Sequence, residues 1–443
     1  MQLITNTLSK WFQLYTKPHH KLLVAFSGGR DSHVLLDALV KLKAHYQFQL
    51  EAIHINHGLQ AVASEWVRHC SDVCDAYGIP LHTINLSLQI LPGESLEEKA
   101  RIHRYQAMQN HVDEHTILLT AHTIDDQAET YLLQLIRGSG VKGLAGIAPN
   151  KSFGKGALAR PLLSISRNEI ATYAKQRHLT WIEDPSNQNL KLRRNFIRSE
   201  ILKPLERLHP NSSHCIARSA KHCQDTLTIL EEYLDQDLAK CLGDKPLTLN
   251  AEKLKAFSAQ KQAWVLRHWL SQHQVSLPSL RKCQELLRQM LGAKEDAQPQ
   301  VSWGTWQLRR YKQLIYLLST NELFDTSVKH EWHLQSPIQL TNGQRWHAIP
   351  TLGRGVAIAK LVDDTIQISY RQGGERCHLA NQQNSKALKK VLQQLDIPPW
   401  EREKLPLFYH GESLIGVGSL FICQDWLVQA PQEKGILFEM VIS

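Results

Sequence analysis

The sequence predicts an α/β protein: an N-terminal domain built on a parallel sheet, then a small mainly helical domain, then an α+β C-terminal domain. Three observations carry this. Short apolar runs alternate with helix-periodic segments through the first ~200 residues. From about Ser213 the pattern turns helical, and the last ~80 residues return to strand-like runs around one helix. The 443 residues are enough for two or three domains at roughly 150 residues each. The expected divisions are 1–212, 213–330 and 331–443.

In order, Leu22, Leu23, Val24, Ala25 and Phe26 read as a buried strand, followed by a turn of Ser27, Gly28 and Gly29. Residues 32–46 place Val34, Leu35, Leu36, Leu39 and Leu42 at helical spacing. A second strand is expected over 50–55. A helix over 64–77 puts Trp66, Val67, Cys70, Val73 and Cys74 on one face, and Gly78, Ile79 and Pro80 end it. Strands are expected at 81–86 and 116–120, with helices at 96–111 and 124–137. This repetition implies a parallel sheet covered on both faces, with ligands at the carboxyl ends of its strands near the topological switch point. The Gly-rich stretch 138–156 lacks strong periodicity and is expected to be a mobile loop. A helix follows at 167–178, then a turn at 181–187 and a very basic stretch. Beyond it, helices are expected at 213–238, 260–271 and 280–291, with a polar linker at 292–299. A hairpin pattern spans 301–318. In the last domain, strands are expected at 365–370, 407–409 and 414–417, and a helix at 385–395.

Composition narrows the function classes. Hydrophobic residues at 42% and charged residues at 21% suit a globular protein and exclude a disordered or collagen-like chain. Lys and Arg number 51 against 42 Asp and Glu, a net +9 that is compatible with a polyanionic partner without requiring one. No apolar run approaches the ~18 residues of a membrane span. Residues 1–17 show no continuous apolar core or cleavage site of a signal peptide, so a cytoplasmic protein with no membrane partner is expected. The 8 cysteines contain no Cys-x-x-Cys pair, and reduced thiols are expected. A homodimer is one assembly open to such a chain.

Four motifs carry chemistry. Ser27, Gly28, Gly29, Arg30, Asp31 and Ser32 lie between a buried strand and a helix start. The glycines let the backbone approach an anion, the helix N-terminus offers free N–H groups, and the hydroxyls of Ser27 and Ser32 add donors. Asp31 would repel a phosphate directly, so it is expected to act through Mg²⁺. The alternative is a Gly-rich turn with a Ser or Asp cap. The Walker pattern is absent. Next, Asp125, Asp126 and Glu129 open a helix after the fourth strand. Three acids there suit Mg²⁺ or a cationic amine, although one acid in a first turn would only favour the helix dipole. Arg101 and Arg104, three apart, can face one site or form a solvated basic face. Finally, Asp184, Pro185, Ser186 and Asn187 precede Arg193, Arg194, Asn195 and Arg198, otherwise a basic turn.

The first motif resembles the pyrophosphate loop of the PP-loop ATP pyrophosphatases, the adenine nucleotide alpha hydrolase-like fold. Together with Asn56, His57, Gly58 and Leu59, the four runs resemble the tRNA(Ile)-lysidine synthase family. Arg371, Gln372, Gly373, Gly374, Glu375 and Arg376, the helix with Lys386, Lys389 and Lys390, and Pro398, Pro399 and Trp400 resemble that family's last domain. Thr123 and Ile124 depart from its common pattern. The resemblance implies ATP and Mg²⁺ as cofactors, with free L-lysine and isoleucine tRNA bearing a CAU anticodon as substrates. It assigns catalysis to Asp31, Arg101, Asp126, Glu129 and Arg194. Nucleotide binding falls to residues 27–32, and metal binding to Asp31 and Asp126. Contacts with tRNA fall to Arg193, Arg198, Arg371, Arg376, Lys386, Lys389 and Lys390. A tRNA-thiolating relative would carry paired cysteines, which this chain lacks.

Overall fold

The computed structural model describes residues 2–17, 19–56, 63–86, 96–185, 189–294, 297–320, 324–380, 382 and 384–441. The chain forms two compact units, Met1–Tyr233 and Leu234–Ser443.

The first unit is organised by a six-stranded sheet in the order β3-β2-β1-β4-β6-β5. Its strands are β1 (Lys21–Ala25), β2 (Gln49–Asn56), β3 (Leu81–Asn85), β4 (Thr116–Leu119), β5 (Asn150–Phe153) and β6 (Gly156–Ala159). All neighbours are parallel except β5, which runs antiparallel to β6. Helices α2 (Arg30–Lys43), α3 (Ala63–Tyr77), α4 (Leu96–Gln109), α5 (Ile124–Ile136) and α7 (Arg167–Gln176) follow the sequence pattern closely. Strand alternation divides the core. Leu22 and Val24 face one cluster with Leu35, Leu39 and Tyr173, while Leu23 faces another with Ile53, Met108 and Leu158. The chain goes from β1 outward to β2 and β3, then returns to β4 on the other side of β1. The switch point therefore lies between the carboxyl ends of β1 and β4.

One expectation is corrected here. The stretch 138–156 is structured: it holds a short helix α6 (Val141–Leu144), β5 and the start of β6. The Gln127 side chain clasps it, accepting from Ile147 N at 2.6 Å and donating to Ile147 O at 3.2 Å. Gly156 is needed for closeness, because a Cβ there would stand 2.3 Å from Thr116 O. Its short strands and glycines mask any periodicity. The basic stretch beyond the 181–187 segment, to which the sequence assigned no element, is helical from Arg193, with α8 (Arg193–Phe196), a π-helix at Ile197–Leu202 and α9 (Lys203–Leu208). The wide π turn is a rare local geometry that recurs at functional sites.

An unexpected helix, α1 (Gln2–Tyr15), precedes β1. Ile4, Leu8 and Trp11 recur at i, i+4 and i+7 and are buried. Ser9 Oγ lies 2.7 Å from Tyr46 OH, and the Phe12 and Tyr46 rings are 4.7 Å apart.

Helix α10 (Ser212–Cys241) runs through the division between the units. In the second unit, α11 (Ala251–Lys255), α12 (Ala259–Gln272) and α13 (Leu280–Gly292) accompany a four-stranded sheet, β7-β10-β9-β8. Its strands are β7 (Thr248–Asn250), β8 (Gln300–Trp303), β9 (Trp306–Tyr311) and β10 (Leu314–Ser319), so the expected hairpin has three strands plus the three-residue β7. The last domain is α+β. Helix α14 (Leu388–Gln394) buries Leu388, Val391 and Leu392, and antiparallel sheets enclose Trp332, Trp346, Phe408 and Phe438. A long pair missed in the sequence, Arg345–Leu352 with Lys434–Val441, joins eight positions. Pro350 and charged residues interrupt its apolar pattern.

Leu8 is fully buried, so Leu8→Ala is expected to destabilise the first unit by about 2–5 kcal/mol. A urea titration with a lower midpoint checks this; an unchanged midpoint would mean that α1 does not pack on the core.

Candidate active site

The site is built at the switch point. On one side, β1 ends at Ala25 and the chain turns through Ser27, Gly28 and Gly29 into α2. Gly28 has φ +78°, and a Cβ there would meet Cys70 Sγ at 3.0 Å and Ile182 Cδ1 at 3.2 Å. Both the conformation and the space therefore require glycine. Ser32 Oγ donates to Gly29 O at 2.9 Å and lies 3.1 Å from Ser27 Oγ. Ile182 N donates to Gly28 O at 3.0 Å, and His33 Nδ1 lies 2.7 Å from Thr180 O, so residues 180–182 brace the turn. The first turn of α2 has no side-chain cap, which leaves its N–H groups to an anion. Asp31 is partly exposed, and Arg30 Nε donates to its Oδ1 at 3.0 Å.

On the other side, β4 leads to Thr123, which caps α5. Thr123 N donates to Asp126 Oδ2 at 2.8 Å, and Asp126 N donates to Thr123 Oγ1 at 3.4 Å. The capping box fixes Asp126. Glu129, one turn on, is fully buried and enclosed by three guanidinium groups. Arg167 Nη1 and Arg198 Nε donate to its Oε1 at 2.6 and 2.7 Å, and Arg194 Nε donates to its Oε2 at 2.8 Å. Arg167 also reaches Asp126 Oδ1 through Nη2 at 2.7 Å, and its backbone N donates to Asp125 Oδ2 at 2.8 Å. Arg194 Nη2 is 3.3 Å from Asp126 Oδ1.

These contacts set the charge states. Burial opposes ionisation of Asp126, but Arg167, Arg194 and His122 outweigh it and bring its pKa to about 2. Burial likewise opposes ionisation of Glu129, and the Arg198 and Arg167 donors overcome it, so its pKa lies below the usual range. Asp125 goes the other way: burial raises it more than the Arg167 N–H and charge lower it. His122 has its pKa lowered to about 4 by burial, and the Arg160, Arg194 and Arg104 charges push the same way. It is neutral at pH 7, with Nδ1 2.9 Å from Thr120 Oγ1.

The structure thus gathers Asp126, Glu129, Arg194 and Arg198 into one network, while Asp31 stands at the phosphate loop after the neighbouring strand. Arg198, expected to contact tRNA, is engaged with Glu129, and Arg193 beside it is exposed. Arg101 is exposed on α4. In the second unit, Arg371 Nε lies 3.5 Å from Glu375 Oε2, and Arg376 holds Ser385 Oγ at 2.9 Å. Lys389 and Lys390 are exposed on α14, and Lys386 is half-buried just before it. His57, Gly58 and Leu59, and Ser186 with Asn187, lie outside the described residues. Sequence reasoning missed Arg167, whose signal is the Ser166-x-x-Glu169 capping box that starts α7 beside the site. Magnesium takes few carboxylates plus phosphate oxygens, which fits the partly exposed Asp31 at the loop. Both Asp126 oxygens already accept protein donors.

Arg167→Met is expected to destabilise the protein by about 3 kcal/mol at pH 7, because it strips a partner from two buried carboxylates. Asp126 sits at about 2 against an ordinary 3.8, so its contribution is complete above about pH 4 and is lost as pH falls toward 2. Urea titrations of both proteins at pH 7 and pH 3 should show the gap narrowing at pH 3; a constant gap would sink the ionic account.

Known proteins bear on this arrangement. The PP-loop domain family matches residues 2–205. Families described as the TilS substrate binding domain and the TilS substrate C-terminal domain match residues 249–316 and 366–439. A tRNA(Ile)-lysidine synthase of Coxiella burnetii is 38% identical over 404 residues, covering 91% of this chain and 89% of that protein. One from Methylococcus capsulatus is 34% identical, covering 96% of this chain and 97% of that protein. With the phosphate loop and the acid–guanidinium network at one switch point, and relatives matched along nearly their whole length, the chain belongs to the tRNA(Ile)-lysidine synthase family.

Proposed function

We propose that the chain is an ATP-dependent ligase that joins free L-lysine to C2 of the wobble cytidine in isoleucine tRNA with a CAU anticodon. ATP adenylates O2 of the cytidine and releases diphosphate. The lysine ε-amine then attacks C2 and AMP leaves. The product, lysidine, reads AUA instead of AUG and changes the tRNA's identity from methionine to isoleucine. The observation that supports this most is the meeting of a phosphate loop with a carboxylate–guanidinium network at the ends of adjacent parallel strands.

In this reading, residues 27–32 hold the pyrophosphate of ATP through backbone N–H groups and the two serine hydroxyls. Asp31 takes Mg²⁺, with Asp126 as a second candidate; the ion supplies charge neutralisation at the phosphates. Asp126 and Glu129 hold the lysine amine, and Glu129 also arranges Arg167, Arg194 and Arg198, which enclose it. Arg194 and Arg101 stabilise charge on the adenylated cytidine. Residues 1–212 serve as the catalytic domain. Residues 213–330 and 331–443 bind tRNA, with Arg371, Arg376, Lys386, Lys389 and Lys390 contacting the acceptor stem alongside Arg193 and Arg198 nearer the site. Phosphate contacts of this kind position a nucleic acid, and base contacts specify it.

The amine sets a requirement. Its pKa of about 10.4 leaves roughly one lysine in 2,500 neutral at pH 7. A carboxylate must take the proton during attack, with the neighbouring guanidiniums offsetting its tendency to hold the amine charged. The rate of lysine transfer should therefore rise between pH 6 and pH 9, and a flat profile over that range would remove the deprotonation step from the mechanism.

The direct test mixes the protein, Mg-ATP and radiolabelled lysine with either CAU-anticodon isoleucine tRNA or elongator methionine tRNA. Label that survives mild alkali on the isoleucine tRNA alone is the expected result, since alkali strips ordinary aminoacyl esters. ATP cleavage to AMP without stable label would keep the adenylation chemistry and reject lysine as the acceptor.

A further inference from the structure

Beside the network lies a second group of cations that the reaction above does not use. Strands β4 and β6 are parallel neighbours, with Leu119 opposite Ala159. His122 follows the end of β4, and Arg160 follows directly on β6. Arg160 is only 8% exposed. Its Nη1 donates to Ala148 O at 2.6 Å, while its buried Nε has no hydrogen-bond partner. Lys151, on the adjoining β5, places Nζ 5.7 Å from the Tyr105 ring centre. Arg104 lies 5.7 Å from the same ring, and Tyr105 packs edge-on to Phe153 at 5.9 Å. Among the described residues, none of Arg104, Lys151 and Arg160 forms an ion pair with a carboxylate.

A buried guanidinium without a carboxylate is costly to the folded chain unless an anion arrives. The contrast with Arg167, Arg194 and Arg198 is direct: those three share Glu129. The charge state agrees with the geometry. Burial lowers the pKa of Arg160, of Arg104 and of Lys151; the charge of Arg160 adds to the lowering at Lys151, while a side-chain hydrogen bond with Tyr105 partly offsets it at Arg160. The cluster sits at the carboxyl edge of the sheet on β6 and β5, two and three strands from β1 with β4 between. The aromatic ring among the cations is the combination that accommodates single-stranded nucleic acid, where phosphates meet charge and bases meet π-faces.

We propose that Arg160, Lys151 and Arg104, grouped around Tyr105, form a phosphate subsite that takes a phosphodiester of the tRNA strand flanking the target cytidine. The inference rests on the tRNA reading above. The same chemistry could be met by a phosphate of ATP, and the test separates the two. A subsite of this kind holds the extruded nucleotide by its backbone and leaves the base free to enter the crevice between β1 and β4.

The experiment uses the full chain with two variants, Arg160→Gln and Lys151→Gln. Lys151 is exposed, so its variant remains informative if the first fails to fold. The dissociation constant of a CAU isoleucine tRNA transcript is measured from 50 to 300 mM KCl, together with the KM for ATP. Each variant is expected to weaken tRNA binding about ten-fold, the scale of one charged hydrogen bond. The slope of log affinity against log salt should lose about 0.7, one single-strand phosphate contact. The KM for ATP should not move. A raised KM for ATP with an intact tRNA slope would overturn the assignment and give the site to the nucleotide. Unchanged slope and unchanged KM would also overturn it, leaving Arg160 as a packing residue. A wild-type chain that binds tRNA with full salt dependence yet makes no lysidine would reject the reaction, and the subsite would still be judged by its own slopes.

Discussion

The site depends on how Glu129 is enclosed. A carboxylate with no exposure to water is tolerable only if its oxygens are fully occupied, and here three guanidiniums occupy them. Those donors come from separate pieces of chain: Arg167 from the start of α7, Arg194 from α8 and Arg198 from the π-helix. One residue of α5 thereby ties together segments up to 69 positions distant. Arg194 and Arg198, four apart, share one helix face and meet on one acid, and Arg198 lies in the π turn. Network and fold are mutually dependent: without the helices the donors would scatter, and without Glu129 three positive charges would stand together.

Electrostatically, the network interleaves cations and anions at close range. Three guanidiniums face Asp126 and Glu129, and the neighbouring His122 stays neutral because burial and nearby cations suppress its protonation. The crevice between β1 and β4 is therefore flanked by guanidinium charge next to the first turn of α2, whose N–H groups have no side-chain cap. Both features suit a polyphosphate and a developing oxyanion. The carboxylates do not make the site acidic; they position the guanidiniums and hold their charge in place.

Legibility in the sequence followed the physics of each part. Five of the helices and four of the five parallel strands of the first unit were readable from apolar runs or periodic apolar faces, as with Val34, Leu35, Leu39 and Leu42 on α2. The phosphate loop was readable because Gly28 answers a backbone demand that side-chain-bearing residues rarely meet. Helix α1 was overlooked although Ile4, Leu8 and Trp11 mark it, since those residues were weighed only as a possible leader segment. Strands β5 and β6 are four residues each and gain their place from the Gln127 clasp and the closeness of Gly156 to β4. Neither cause has a period. Of the site, Asp126, Glu129, Arg194 and Arg198 were visible as local motifs. Arg167 was not, because its role arises only when α7 is laid beside α5.

The same reasoning explains why two groups of arginines on one sheet edge differ in their partners. Arg167, Arg194 and Arg198 are tied by carboxylates of the chain itself, so their geometry is fixed before any substrate binds. Arg160 is buried but lacks a carboxylate partner, and its Nε is left unsatisfied. A protein that evolved only for stability would have paired it or replaced it with an apolar residue, since a buried pair often stabilises no more than hydrophobic packing does. Retaining a desolvated guanidinium with no carboxylate beside it at the carboxyl edge is coherent when the missing anion belongs to the substrate. Preorganised charge of that kind favours the bound strand most when it is the only anion able to fill the gap.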